Sequence, residues 1–269
     1  MSHDNQTNAL RRRFESDRTA LSILENTYSP SLVEFYADLG IDAVWIDLEH
    51  GGPSPLEAAD LDGLLRAVDG TDTELLVRLP GTDPGMVRKA LDAGVRNVFL
   101  PRVDSADEVR TAVRAGRFVY GDDPGTRGLA APRARRWGLA DEYVTTEDTE
   151  VLVGATVETA TAVDRIEDIL SVPDLGFVFV GPLDLSVSLG HPDELDHPAV
   201  TEAVETVRSA AVDAGVPLCG LGFGMDDVNE KATNGYDLVN IGSTTGVIQA
   251  TVTDWLEASA GDFSAGADM

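Results

Sequence analysis

Ionisable side chains follow a short apolar segment near the start of the chain. Residues 43–46 are apolar and long enough for one buried strand, and Asp47, Glu49 and His50 come directly after them, before two glycines. Enzymes with parallel sheets place catalytic groups where strands end, because those ends share one face of the sheet. The segment therefore predicts catalytic groups at one rim of a sheet.

Three later apolar runs end in charged residues in the same way. Arg78 ends one of them, Glu158 follows another, and Asp184 follows the next. Glu158 and Asp184 close neighbouring predicted strands, so two carboxylates can point at one spot and suit a hard divalent ion such as Mg2+ or Mn2+. Two acids at strand ends also occur by chance, and a salt bridge across the rim is an alternative role for Arg78.

Histidine and lysine are rare in this chain, and their positions limit the possible reaction mechanisms. His50 is one of only four histidines; a lone histidine is usually structural, but its place before a glycine turn favours catalysis. The only lysines, Lys89 and Lys231, fall within predicted helices, away from the strand ends. A Schiff-base mechanism is therefore disfavoured, and cleavage of a carbon–carbon bond on this scaffold would need a metal.

Strand and helix patterns alternate eight times, which predicts a (β/α)8 barrel. The predicted strands are 19–25, the stretch from 43, 74–79, 97–100, 151–157, 176–180, 216–221 and 236–241. The predicted helices are 30–39, 55–68, 84–93, 105–115, 160–171, 198–214, 225–233 and 244–258. A doubly wound sheet is the alternative, but no G-x-G-x-x-G follows the first strand.

The barrel is expected to span residues 19–258 as one domain. Residues 1–18 are predicted to be a tail with a short helix, and residues 259–269 a disordered tail. Residues 117–150 interrupt the repeat, and an interruption of this length is more often functional or interface-forming than accidental.

Composition excludes several classes of partner. The 269 residues include 47 acidic and 20 basic side chains, for a net charge of −27. The acids are spread along the chain, which indicates a solvated acidic surface that repels nucleic acids and anionic membranes. One cysteine permits no internal disulfide, and no run approaches the roughly 18 apolar residues of a membrane span. We expect a cytoplasmic, salt-adapted enzyme.

The ordered set of motifs resembles the HpcH/HpaI aldolase family, metal-dependent pyruvate aldolases of the phosphoenolpyruvate-binding barrel superfamily. The resemblance runs from about residue 20 to residue 258. Its motifs are Trp45-Ile46-Asp47-Leu48-Glu49-His50-Gly51, Val77-Arg78-Leu79-Pro80, Leu100-Pro101-Arg102-Val103, Thr126-Arg127-Gly128, Val157-Glu158-Thr159 and Phe179-Val180-Gly181-Pro182-Leu183-Asp184-Leu185-Ser186.

The resemblance implies a class II aldolase that cleaves a 2-keto-3-deoxy (4-hydroxy-2-oxo) acid to pyruvate and an aldehyde. Mg2+ or Mn2+, with Co2+ a further candidate, would be the only cofactor, and no organic cofactor is implied. The implied roles are metal binding by Glu158 and Asp184; catalysis by His50, Arg78 and Asp92, the last as the acid partnered with the histidine; substrate binding by Arg78, Thr156, Gly181, Pro182 and Leu183; and support by Asp47, Glu49 and Arg127.

The resemblance further implies a homo-oligomer, a hexamer whose last helix is exchanged between subunits, with segment 117–150 helping to form the site. One departure is Thr156, where many members carry glutamine; segment 127–137 also looks shortened. An acyl-CoA lyase of the citrate lyase β type is an alternative, although such proteins usually have Asp-Ala-Val where this chain has His50-Gly51-Gly52. A non-catalytic barrel that binds pyruvate-like acids is another.

The net charge predicts that salt stabilises the fold. Molar KCl shortens the screening length to about 3 Å, against about 10 Å at 0.1 M, and so weakens repulsion between surface carboxylates. We expect the melting temperature to rise with KCl into the molar range, measured by circular dichroism. A melting temperature that does not change with KCl would contradict salt adaptation.

Overall fold

A computed structural model describes residues 7–54 and 57–259. The predicted C-terminal tail therefore lies, apart from Ser259, outside the described residues, as do the first six residues of the predicted N-terminal segment. None of the described helices is long and apolar enough to cross a membrane.

Eight parallel strands close into a barrel, which confirms the predicted (β/α)8 fold. The barrel strands are β1 (Ala20–Leu24), β2 (Ala43–Asp47), β3 (Glu74–Arg78), β4 (Asn97–Leu100), β7 (Leu152–Val157), β8 (Phe177–Val180), β9 (Leu218–Leu221) and β10 (Leu238–Ser243). Each pairs with its neighbour along the chain, and β10 closes the ring on β1. The antiparallel pair β5 (Val119–Tyr120) and β6 (Asp123–Pro124) stands outside the barrel.

Helices surround the barrel near the predicted positions. They are α1 (Ala9–Phe14), α2 (Pro30–Asp38), α3 (Ala58–Ala67), α4 (Pro84–Ala93), α5 (Ala106–Ala115), α6 (Tyr143–Glu150), α7 (Ala160–Asp164), α8 (Ile166–Leu170), α9 (Pro182–Ser188), α10 (Pro198–Ala214), α11 (Met225–Thr233) and α12 (Thr244–Ala258). Two differences concern short helices. The predicted helix 160–171 is broken at Arg165, whose φ of −114° departs from helical values. Helix α9 has only seven residues and follows β8 after a single glycine, too short for a periodic signal.

The outward side chains of the strands are aliphatic, and the inward ones include all the aromatic residues of the barrel strands. Outward residues pack against the helices, whereas the inward ones form a second cluster in the barrel interior. Within that interior the Trp45 ring lies 5.7 Å from Phe99 and 5.4 Å from Phe179, between ring centroids. Gly154 faces Phe177 so closely that a Cβ there would lie 2.4 Å from the ring. The interior is therefore a packed floor and not a channel.

Helix α1 closes the end of the barrel where the strands begin. Leu10 is buried among the interior residues, and the Phe14 ring meets Phe177 edge-on with centroids 5.9 Å apart. The Asn8 amide, which also caps the helix, donates to Asn97 Oδ1 at 2.6 Å and to the Glu150 carbonyl at 2.7 Å. Because α1 closes this end, the ionisable residues predicted at the strand ends are left to form a site at the opposite end of the barrel.

Candidate active site

A buried ion-pair network joins the ends of β2 and β3. Arg78 Nε donates to Asp47 Oδ1 at 2.8 Å and Nη2 to Oδ2 at 2.7 Å, so the contact is bidentate. Arg78 Nη1 lies 3.0 Å from Glu49 Oε2, and the guanidinium carbon lies 5.1 Å from the centre of the Trp45 ring. The strand register sets Asp47 beside Arg78, and both side chains point into the barrel above the aromatic floor.

Arg78 decides the charge state of its neighbours. Burial by itself raises the pKa of Asp47, but the hydrogen bonds and positive charge of Arg78 outweigh burial and hold that pKa below its ordinary value of 3.8. For Glu49 burial prevails and the pKa is raised, although Arg78 opposes the change. Burial lowers the pKa of Arg78, yet contacts with Asp47 and Glu49 leave it raised overall. The guanidinium thus stays charged.

Glu158 lies directly beyond β7 and is only 1% exposed. Its Oε1 accepts a hydrogen bond from the backbone N–H of Arg102 at 2.7 Å, and it makes no ion pair with the described residues. Its Oε2 would lie 2.7 Å from a Cβ on Gly181, so only glycine at the end of β8 leaves room for this carboxylate. The side chain is fixed in place without a direct ion pair among the described residues.

Arg102 connects the two predicted metal-binding acids. Its φ of +47° lies in the left-handed region, which is uncommon for a side-chain-bearing residue and directs its N–H at Glu158. Its guanidinium Nη1 lies 3.2 Å from Asp184 Oδ1. Arg102 belongs to one of the sequence motifs, but no role is predicted for it. Its position after a predicted strand and a proline is the only sequence feature that could have indicated one.

These carboxylates suit a divalent cation. The pKa of Glu158 is raised to about 7, mainly because the group is buried; the nearby charges of Asp184 and Glu49 contribute to the increase, and the Arg102 hydrogen bond and the charge of Arg78 oppose it. The site therefore concentrates negative charge that a cation would relieve. All the ligands it offers are oxygen atoms, which matches the preference of Mg2+ and Mn2+.

Other predicted site residues lie at the same end of the barrel. The Thr156 hydroxyl is buried and has no hydrogen-bond partner among the described residues, and its methyl carbon would lie 3.3 Å from a Cβ on Gly181. Gly181, Pro182 and Leu183 form the turn from β8 into α9, whose first turn contains Asp184. An orphaned hydroxyl beside a glycine turn leaves a polar group available to a ligand.

His50 stands at the mouth of the site. Its side chain is 62% exposed, and Nε2 lies 3.6 Å from Glu49 Oε2. The glycines after it are needed because the Tyr28 ring packs against both, so a Cβ on Gly51 or Gly52 would lie about 2.5 Å from ring atoms or the hydroxyl. Tyr28 Oη also donates to the Asp47 carbonyl at 2.9 Å, which ties down the His50 turn.

Two predicted site residues lie elsewhere in the single chain. Asp92 is near the end of α4, where strands begin, and its carbonyl accepts from Ala134 N at 3.2 Å. Burial raises the pKa of Asp92, and Arg127 is the strongest opposing charge. Arg127 is buried beside Tyr143 Oη at 3.0 Å and Glu147 Oε2 at 3.3 Å. Neither makes a hydrogen bond or ion pair with His50 within the described ranges.

Segment 117–150 also lies at the end of the barrel where the strands begin. Arg133 pairs with Asp62 at 2.8 Å and with Asp69 at 3.1 Å, on α3 and just beyond it. Glu147 on α6 pairs with Arg96 at 2.8 Å, directly before β4. Within one chain, the segment therefore lies opposite the cluster of Arg78 and Glu158.

A closed parallel barrel with carboxylates and a bidentately bound arginine at its C-terminal strand ends is typical of (β/α)8-barrel enzymes. The family model described as HpcH/HpaI aldolase/citrate lyase matches residues 25–250, and the chain belongs to this family. The resemblance inferred from the motifs is thus confirmed.

Named relatives cover most of the chain. It is 34% identical over 229 residues to a hydroxypyruvate/pyruvate aldolase of Paraburkholderia phytofirmans, covering 84% of this chain and 86% of that protein. A 2-keto-3-deoxy-L-rhamnonate aldolase of Escherichia coli is 32% identical over 213 residues, 78% of each. The crystal structure of a family member from Burkholderia cenocepacia superposes with a TM-score of 0.87 at 32% identity, over 93% of this chain and 98% of that one.

The bidentate contact predicts that lysine cannot replace Arg78. We expect Arg78→Lys to lower the free energy of unfolding by about 1–3 kcal/mol near pH 7, because the buried Asp47 loses its paired donors. Urea denaturation measures this change. Arg110→Lys, at an exposed helix pair, is the control and should change stability by less than about 0.5 kcal/mol.

The effect should also depend on pH. The pKa of Asp47 is lowered in the folded protein, so its contribution is present above the unfolded value and is lost as the pH falls through the folded one. The difference between wild type and Arg78→Lys should therefore shrink below about pH 4. Equal stability of the two proteins at neutral pH would contradict the assigned role of the ion pair.

Proposed function

We propose that the protein is a class II, divalent-metal-dependent aldolase that reversibly cleaves a 2-keto-3-deoxy (4-hydroxy-2-oxo) acid to pyruvate and an aldehyde. The observation that carries this proposal is the buried Glu158, which makes no ion pair with the described residues and lies near Asp184 and the Arg78 network. Membership of an aldolase family and the names of two relatives support it.

Glu158 and Asp184 would hold the metal ion, Mg2+ or Mn2+ with Co2+ as a further candidate. When bound, the ion supplies Lewis-acid polarisation of a carbonyl oxygen. The unpartnered Thr156 hydroxyl and the turn of Gly181, Pro182 and Leu183 would bind the carboxylate end of the substrate. Thr156 thereby offers a shorter donor than the glutamine that the family resemblance leads us to expect at this position.

Arg78 would stabilise the negative charge that develops on the 2-keto oxygen. Three of the five N–H donors of its guanidinium contact Asp47 and Glu49, which leaves two for the substrate. Because Asp47 and Glu49 hold the group rigidly, its donors need little reorganisation during reaction. Preorganised donors of this kind are a major source of catalysis.

His50 would act as the base. It takes the proton of the 4-hydroxyl group, the C3–C4 bond breaks, and C4 leaves as the aldehyde carbonyl. The electron pair of that bond moves toward C3 and the 2-keto oxygen, near Arg78, and protonation of C3 gives pyruvate. The exposed position of His50 at the mouth suits proton exchange with solvent.

We further propose that the protein works as a homo-oligomer, a hexamer by resemblance, with helix α12 exchanged between subunits. Helix α12 exposes a broad apolar face that includes Val247, Ile248 and Trp255. Asp92 could partner His50 only from another copy, because in its own chain it lies at the opposite end of the barrel; the same holds for Arg127. The net charge of −27 supports a salt-adapted cytoplasmic enzyme without nucleic-acid or membrane partners.

The decisive experiment measures pyruvate release in molar KCl from a panel of 2-keto-3-deoxy sugar acids and 4-hydroxy-2-oxo diacids. We expect release with Mg2+ or Mn2+ that EDTA abolishes and excess metal restores. Glu158→Gln should lower kcat about 1000-fold, since it removes a ligand of the polarising ion. Glu202→Gln, the same change on the exposed side of α10, is the control.

Two other outcomes would contradict the aldolase assignment. Activity only with malyl-CoA or citramalyl-CoA would favour the acyl-CoA lyase. Retention of metal without turnover of either substrate class would favour a non-catalytic barrel that binds pyruvate-like acids.

The role of His50 has its own test. His50→Ala should lower kcat by about 100- to 10,000-fold, the usual contribution of a general base, while Mn2+ affinity stays unchanged. Equilibrium dialysis with Mn2+ and steady-state kinetics give the two quantities, and His3→Ala is the matched control. A loss of Mn2+ binding in His50→Ala would mean that the histidine is a metal ligand and not a base.

A further inference from the structure

Two of the four histidines come together in the loop between α9 and α10. His191 and His197 stack with ring centroids 3.3 Å apart and an angle of 17° between ring planes. Glu194 lies between them in sequence, and one ligand atom from each of the three residues falls within 4.8 Å of the others. The three residues are spaced three positions apart in the sequence.

The backbone brings these three residues to one side of the loop without a metal, and the stacked rings would turn apart so that both can coordinate one ion. Glu194 N donates to the His191 carbonyl at 3.1 Å, and His197 N donates to the Glu194 carbonyl at 3.0 Å, so two successive turns bring the residues to one side. The loop is also anchored to the buried Ser186 on α9. His191 N donates to its carbonyl at 2.8 Å and Asp193 N to its hydroxyl at 3.1 Å.

We propose that His191, Glu194 and His197 form a second metal site, which binds a transition metal ion such as Zn2+ and is separate from the Glu158 site. Two imidazoles and one carboxylate suit Zn2+ and disfavour Mg2+, and three protein ligands leave a position for water. The histidines are half-buried and Glu194 is exposed, so an ion can enter from solvent. The strongly acidic chain also attracts cations to its surface.

The site would fasten the loop that follows the helix carrying Asp184. Helix α9 has Asp184 in its first turn and ends at the loop, while His197 is the N-cap residue of α10. Leu195 and Asp196, within the same loop, line a cavity together with Pro182, which precedes Asp184. A metal at the loop would therefore restrain the far end of the helix on which a proposed catalytic ligand sits.

His197 has a second role that the experiment must separate from metal binding. Its Nδ1 accepts from Ala199 N at 3.2 Å and so caps α10. A neutral imidazole has one acceptor nitrogen, so coordination must either replace this hydrogen bond or move the proton to Nδ1. Asparagine is a good capping residue but a poor Zn2+ ligand, which makes His197→Asn a selective variant.

The test is Zn2+ binding to the full-length metal-free protein in which Glu158→Gln and Asp184→Asn have weakened the other site. Isothermal titration should give one Zn2+ per chain, and adding His191→Ala or His197→Asn should weaken its affinity at least about tenfold. Adding His3→Ala should leave the affinity unchanged. Circular dichroism verifies that each variant is folded.

Co2+ provides a second measurement that reports ligand identity. Bound at this cluster it should give visible absorption bands typical of a low-coordinate site with nitrogen ligands, and these bands should disappear in His191→Ala. The proposal would be overturned if no Zn2+ bound in the Glu158→Gln/Asp184→Asn protein, or if the His191 and His197 variants bound Zn2+ as tightly as their parent.

Discussion

The open end of the barrel depends on the buried pair of Arg78 and Asp47. Carboxylates taken out of water are costly unless an opposite charge lies against them. Arg78 meets this requirement for Asp47 through two short hydrogen bonds and for Glu49 through an ion pair. Glu158 has no such partner among the described residues. The uncompensated charge is thereby centred on Glu158, beside Asp184, which pairs with the exposed Arg102 side chain, and this is where a cation would bind.

The two-residue period of the strands links this polar rim to the packed floor beneath it. Trp45 and Asp47 face inward on β2, as Leu76 and Arg78 do on β3, so each rim group stands directly above an apolar one. The floor sets the height and orientation of the charged groups, and the Trp45 ring also lies against the guanidinium. A one-residue change of register in either strand would separate Asp47 from Arg78 and turn the one on that strand toward the helices.

The parts of the site that sequence could predict are those fixed by local patterns. His50, Arg78, Glu158 and Asp184 all follow apolar runs, and the barrel topology alone brings such positions to one end. The role of Arg102 could not be predicted, because it arises from a left-handed backbone that directs an N–H at Glu158. The proposed partnership of Asp92 with His50 would depend on how chains assemble, which one sequence does not specify.

The two proposed cation sites differ in the chemistry that each can select. Glu158 and Asp184 offer only oxygen atoms and lie at the rim, one deeply buried, so they favour hard ions that also bind substrate oxygens. His191 and His197 offer nitrogen ligands in a surface loop and favour transition metal ions such as Zn2+. Helix α9 connects the two, since its first turn carries Asp184 and Ser186 anchors the histidine loop. Because one short helix connects the two proposed sites in this way, an ion at the loop would limit the freedom of Asp184 without entering the active site.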